Sequence, residues 1–80
     1  SDKKEEDVME DFAPIYGEWL PSFEAHKWQT LGTCAEYYGY NWNSVENSAG
    51  SLRDCYAILH CYRALKEEMK TMMNMYKWEK

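Results

Sequence analysis

Asp54 is the residue whose setting most suggests chemistry. It stands in SLRDCYAILHCYRALKEEMKTMMNMYKW, residues 51–78, where Leu52, Cys55, Leu59, Tyr62, Leu65, Met69, Met72 and Tyr76 recur every three or four positions. That spacing writes an apolar stripe along one helix. At about 100° per residue Asp54 falls about 200° from Leu52, on the edge of the apolar arc near Ile58 and Cys61. Two readings stay open. Ser51 is a good N-cap, and an acid three residues later completes a capping-box-like S-x-x-D that suits the helix dipole. Alternatively, the carboxylate points inward because it is a metal ligand.

The other chemical candidates are weaker. His26 and His60 are the two histidines, and neither has a Cys, Asp or Glu at ligand spacing. His60 falls on the polar side of the helix with Arg53, Arg63, Glu67, Lys70, Asn74 and Lys77, which reads as a solvated surface. Cys34, Cys55 and Cys61 are odd in number and make no C-x-x-C, so neither a disulfide framework nor a zinc site is indicated. They read as buried, reduced thiols that pack like small apolar residues. Glu5, Glu6, Asp7, Glu10 and Asp11 read as a solvated helix start, with Glu10 and Glu36 as weak ion binders at most. Met69, Met72, Met73 and Met75 read as adaptable packing against a core or partner.

These residues must be positioned by helices. Ser1 to Asp7 reads as a charged lead-in, and residues 8–80 as one small domain or part of one. Val8, Phe12, Ile15 and Trp19 predict a first helix over about 5–19, kinked or split near Ala13 because Pro14 lacks the N–H and crowds the preceding turn. Gly17 weakens its second part. Trp28, Leu31, Ala35 and Tyr38 predict a second helix over 27–38, stopped by Gly39, with Gly32 a soft spot within it. The stretch from Tyr40 to Gly50 is rich in Asn, Ser and Gly and reads as a loop. The third helix spans 51–77 without a Gly or Pro. No run of β-branched residues alternates at period two, so no strand is expected. The expected fold class is all-α.

Composition narrows the function classes. An 80-residue chain with 45% hydrophobic and 16% aromatic residues is globular, with more apolar surface than so small a domain easily hides. Self-association or another partner is therefore expected. The net charge of −5, with Arg only at positions 53 and 63, argues against nucleic-acid binding by this chain alone. No apolar run reaches membrane-spanning length and no signal peptide is visible, so no membrane partner is expected and the cytosol is the default.

The stretch AGSLRDCYAILHCYRAL, Ala49 to Leu65, resembles the last motif of the DnaQ-like, DEDD-type 3'-5' exonucleases. In the histidine subclass that motif reads H-x-A-x-x-D-[AC], followed by an amphipathic helix. DFAPIYGEW (Asp11 to Trp19) and KWQTLGTCAEYYGYNW (Lys27 to Trp42) are similar to two helical segments that precede it. The resemblance covers about residues 8–66. It implies that Asp54 is the fourth metal-binding acid, facing two divalent cations, Mg²⁺ or Mn²⁺. Ser51 and Cys55 match the motif's small residues. Ala49 occupies the position of the motif's His and cannot act as a general base.

The family's D-x-E pair, carried on a first β-strand, and its second acidic motif are absent from this sequence. Two cations need several converging carboxylates, which one Asp cannot supply. The expectation is the helical C-terminal part of a ribonuclease H-like exonuclease domain without its sheet, inactive alone and needing no cofactor by itself. Its partners would be the rest of that domain, or a second copy in a domain-swapped dimer, with nucleic acid bound only by an intact parent. The alternative is a small helical interaction module, derived from such a nuclease or unrelated to it.

Overall fold

Three helices and one short hairpin make up the described residues, 3–44 and 50–78, of a computed structural model. In order they are α1 (Lys3–Tyr16), β1 (Trp19–Leu20), β2 (Ala25–His26), α2 (Leu31–Tyr37) and α3 (Gly50–Trp78), with 3₁₀ turns at Pro21–Phe23 and Trp42–Ser44. The described chain is mostly helical, as expected, and the two strands are the addition.

α1 departs from its expectation at both ends. It begins at Lys3, so most of the charged lead-in is its first turns rather than a featureless tail. It also runs through Pro14 as one continuous helix instead of splitting near Ala13. Pro14 lies in the last turn, where the helix ends two residues later. Gly17 ends the helix rather than softening it. Its φ of 84° is left-handed, and its N–H donates to Ala13 O at 3.0 Å, an αL C-cap.

The hairpin contradicts the expectation of no strands. β1 and β2 are antiparallel, with Trp19 opposite His26 and Leu20 opposite Ala25. Pro21 opens the intervening 3₁₀ turn, and Glu24 closes it in the left-handed region with φ 50°. Two-residue strands are too short to write an alternating pattern, so composition could not reveal them.

α2 starts later than the expected residue 27. Thr30 is its N-cap: Thr33 N–H donates to Thr30 Oγ1 at 3.1 Å. Trp28, expected on its apolar face, precedes the helix and stays half exposed. Gly39 is the stop, as its type suggested. With φ 68° it lets its own N–H reach Glu36 O at 3.1 Å, while Tyr40 N–H reaches Ala35 O at 2.9 Å. This pair of bonds is a Schellman motif.

α3 matches its predicted span but begins at Gly50, so Ser51 lies inside the helix and is not its N-cap. The core-facing line is also rotated from the predicted stripe. Ala57, Ile58, Cys61 and Leu65 are buried, while Leu52, Cys55, Met72 and Tyr76 are exposed. Val8, Met9 and Phe12 of α1, Cys34 and Ala35 of α2, and Cys61 and Leu65 of α3 form the shared core. Phe12 is fully buried, with its ring centroid 5.2 Å from Tyr37, 5.5 Å from Tyr38 and 5.7 Å from Tyr16. The Tyr37 ring meets it edge-on and the other two are tilted, and aromatic neighbours of this kind add to the burial itself.

Candidate functional site

Asp54 lies three, four and seven residues before Ala57, Ile58 and Cys61, so it sits in the middle of the line that α3 turns toward the core. It is nevertheless exposed, because that line runs past the residues that cover it farther along. Asp54 borders a small open hollow with Trp42 and Arg53, and the Arg53 guanidinium stacks over the Trp42 ring at 5.0 Å. Leu52 and Tyr56, each two residues away and so about 200° round the helix on its opposite side, are about half exposed at 57% and 48%. Asp54 also falls beyond the first turn of α3, which holds no acid, so the capping-box reading loses its geometry.

Among the described residues no three His, Cys, Asp or Glu side chains come together as a metal site. One carboxylate does not fit a pair of divalent cations. Ala49, assigned to the motif's His position, lies outside the described residues. Glu10 and Glu36 are both exposed, on α1 and α2 respectively.

The structure joins other residues that the sequence left apart. His60 is half-buried rather than a solvated surface group. Its Nε2–H donates to the Tyr38 carbonyl at 2.9 Å, and its ring lies 5.0 Å from that of Tyr40. Since a carbonyl only accepts, Nε2 carries the proton. Tyr38 Oη donates to Glu68 Oε1 at 2.7 Å, a short charge-assisted bond between α2 and α3. Burial first, and the Glu68 carboxylate second, push the Tyr38 phenol well above its ordinary value. The signal available beforehand was Glu68's position three residues after Leu65, on the core-facing line.

The cysteines divide. Cys34 and Cys61 are fully buried, as expected, while Cys55 is exposed, against expectation. The Cys34 thiol is held far above its usual value, by its hydrogen bond to Cys61 and by desolvation. His26 is half-buried in the hairpin, its ring 5.1 Å from Trp19.

At its far end α3 again outruns its cover. Met69 packs against the core, but Met72, Met73, Met75 and Tyr76 are 45%, 69%, 62% and 70% exposed. Lys66, Lys70 and Lys77 flank a groove of about 590 Å³ along this end. Among the described residues no helix is long and apolar enough to cross a membrane. No family model, curated protein or solved structure matches the chain.

Proposed function

We propose that the chain is the helical C-terminal portion of a DnaQ-like, histidine-subclass 3'-5' exonuclease domain, and that it does not hydrolyse nucleic acid by itself. The carrying observation is Asp54, a carboxylate in the middle of a helix's core-facing line yet open to solvent. A structural cap would sit in the first turn, and a surface acid would sit on the polar face. An acid on an uncovered core line suits a residue that faces another part of a domain.

In this reading Asp54 contributes one ligand to two Mg²⁺ or Mn²⁺ ions whose other acids come from the ribonuclease H-like sheet of the parent. The ions would polarise phosphate and water there. The chain's own residues do not complete that site, so no catalytic step belongs to it. A cytosolic location goes with the reading.

Two measurements test it. Purified chain incubated with single-stranded DNA or RNA in Mg²⁺ or Mn²⁺ should release no mononucleotides; metal-dependent release that survives further purification would contradict the silence. Reading the coding DNA upstream of Ser1 tests the parentage. An in-frame D-x-E followed by a second acidic motif supports it, and a start codon with a ribosome site there overturns it.

The Met-rich end of α3 favours a second reading, a helical interaction module. Its exposed Met72, Met73 and Tyr76 continue one face of α3 from Met69 at helical spacing. A second copy, or the missing part of the parent, could cover it.

A further inference from the structure

We propose that the Met-rich end of α3 is the docking site of an acid-flanked amphipathic helix from another protein. The inference deepens the interaction-module reading and rests on it, and it does not depend on the nuclease reading.

The placing of charge on this end carries the inference. At about 100° per residue, measured from Met73, the side chains of Met69, Tyr76 and Met72 turn about 40°, 60° and 100° to one side. Lys66, Lys77 and Lys70 turn about 20°, 40° and 60° to the other. All of them line the groove of about 590 Å³, and no acid does. The groove therefore has an apolar floor and a lysine ridge along one edge.

The ridge is uncompensated. Lys66, Lys70 and Lys77 are exposed, and none of them meets a carboxylate among the described residues. Lys66 rests its ammonium 5.3 Å over the Tyr62 ring, and Lys70 stands four residues on, a like-charge spacing that works against a helix. The neighbouring acids are turned elsewhere. Glu67 lines a different hollow with Arg63, and Glu68 accepts from Tyr38.

A helix laid along the groove answers both features. From Lys66 to Lys77 α3 rises about 16 Å, which calls for a partner helix of about three turns. Apolar residues at three- and four-residue spacing on that helix fill in among Met69, Met72, Met73 and Tyr76, and methionines adapt to varied shapes. Acids along one of its flanks face the lysines.

Other occupants suit the face less well. Two copies paired antiparallel through it set lysine ridge against lysine ridge, and paired parallel they set the ridge against methionines. The chain's own acidic row, Asp7, Glu10 and Asp11 on α1, stands beside Val8, Met9 and Phe12, which are already buried and offer no free apolar line. Self-association through the methionines is thus the weaker use of this face. An anionic bilayer repels a chain of net charge −5.

The test uses the full chain and three fluorescein-labelled helical peptides. They share one leucine line at three- and four-residue spacing and carry Glu, Gln or Lys along one flank. Anisotropy titrations at low salt should show the Glu peptide binding about tenfold tighter than the Gln peptide, the sum of a few exposed ion pairs, and the Lys peptide weakest. In the Lys70→Glu/Lys77→Glu variant, its fold checked by circular dichroism, the order should reverse. Equal binding of the Glu and Gln peptides overturns the proposal and leaves an interaction module standing, whereas no binding by any peptide overturns both. Self-association of the wild type tighter than its binding of the Glu peptide overturns the proposal in favour of a second copy. Tighter binding to phosphatidylserine vesicles than to the Glu peptide overturns it in favour of a lipid surface.

Discussion

Replacing Tyr38 by Phe should weaken the fold at neutral pH and cease to matter at high pH. The hydroxyl donates to Glu68 Oε1 at 2.7 Å and is a polar tie from the end of α2 to the middle of α3. Hydrogen bonds to charged groups contribute about 1.5–3 kcal/mol, and the partial exposure of both residues places this one at the low end, about 1–2 kcal/mol. Burial and the carboxylate raise the phenol's pKa, so the folded protein holds this proton more tightly than the unfolded chain does. Stability from this group is complete below the unfolded value of about 10. It then falls by about 1.4 kcal/mol for each further pH unit. The Tyr38→Phe variant has no such proton, and every other group titrates alike in both proteins. The difference between them should shrink from about 1–2 kcal/mol at pH 7 toward zero near pH 11. Urea unfolding followed by circular dichroism at pH 7, 9, 10 and 11 measures it. A difference that stays constant or grows over that range would refute the reasoning.

Other substitutions follow from single observations. Gly39→Ala should cost about 1 kcal/mol because φ is 68° there, although no atom crowds the site, whereas Gly32→Ala in the first turn of α2 should stabilise by about 0.4–1 kcal/mol. Opposite shifts in the urea midpoint are the check. Phe12→Ala removes the fully buried ring among three tyrosines and should cost about 3–5 kcal/mol, enough to abolish a cooperative thermal transition in so small a domain. Sedimentation at high micromolar concentration should show self-association that Met73→Lys reduces, since Met73 is 69% exposed on the uncovered face; a clean wild-type monomer would count against it.

The span of α3 and the Gly39 stop are legible in the sequence because each is local. A long run of good helix formers specifies a helix without reference to neighbours, and a glycine that must adopt positive φ announces a C-cap. What the sequence hides is whatever another element decides. An apolar stripe read from Leu52 to Tyr76 treats every large apolar residue as inward, yet the fully covered line runs through Ala57, Ile58, Cys61 and Leu65, and only Tyr62 and Met69 of the stripe's other large residues pack beside the core. Small residues sit where α2 approaches closely, and size-based reading passes over them. The same blindness assigns His60 to water. Its partner is the carbonyl at the C-cap of α2, which no side-chain pattern reveals. The hairpin is invisible because two residues per strand carry no period, and Pro14 misleads because its damage depends on how far the helix continues beyond it.

α3 has 29 residues and α1 has 14, so at about 1.5 Å per residue α3 is about twice as long as the helix beside it. Its core-facing line therefore emerges at both ends. One end presents Asp54, and the other presents Met72, Met73 and Tyr76 between lysines. The two ends differ in kind. A charged carboxylate gains nothing from an apolar cover and needs cations or donors to face it. Methionines gain from any apolar surface and accept many shapes. Any neighbour that covers the Asp54 end must therefore bring cations or donors, as the nuclease parent proposed above would. By its methionines alone, the Met end is served equally by the proposed parent, by another protein or by a second copy. For this reason the functional reading rests on Asp54, and the longer, more conspicuous apolar face is the weaker guide.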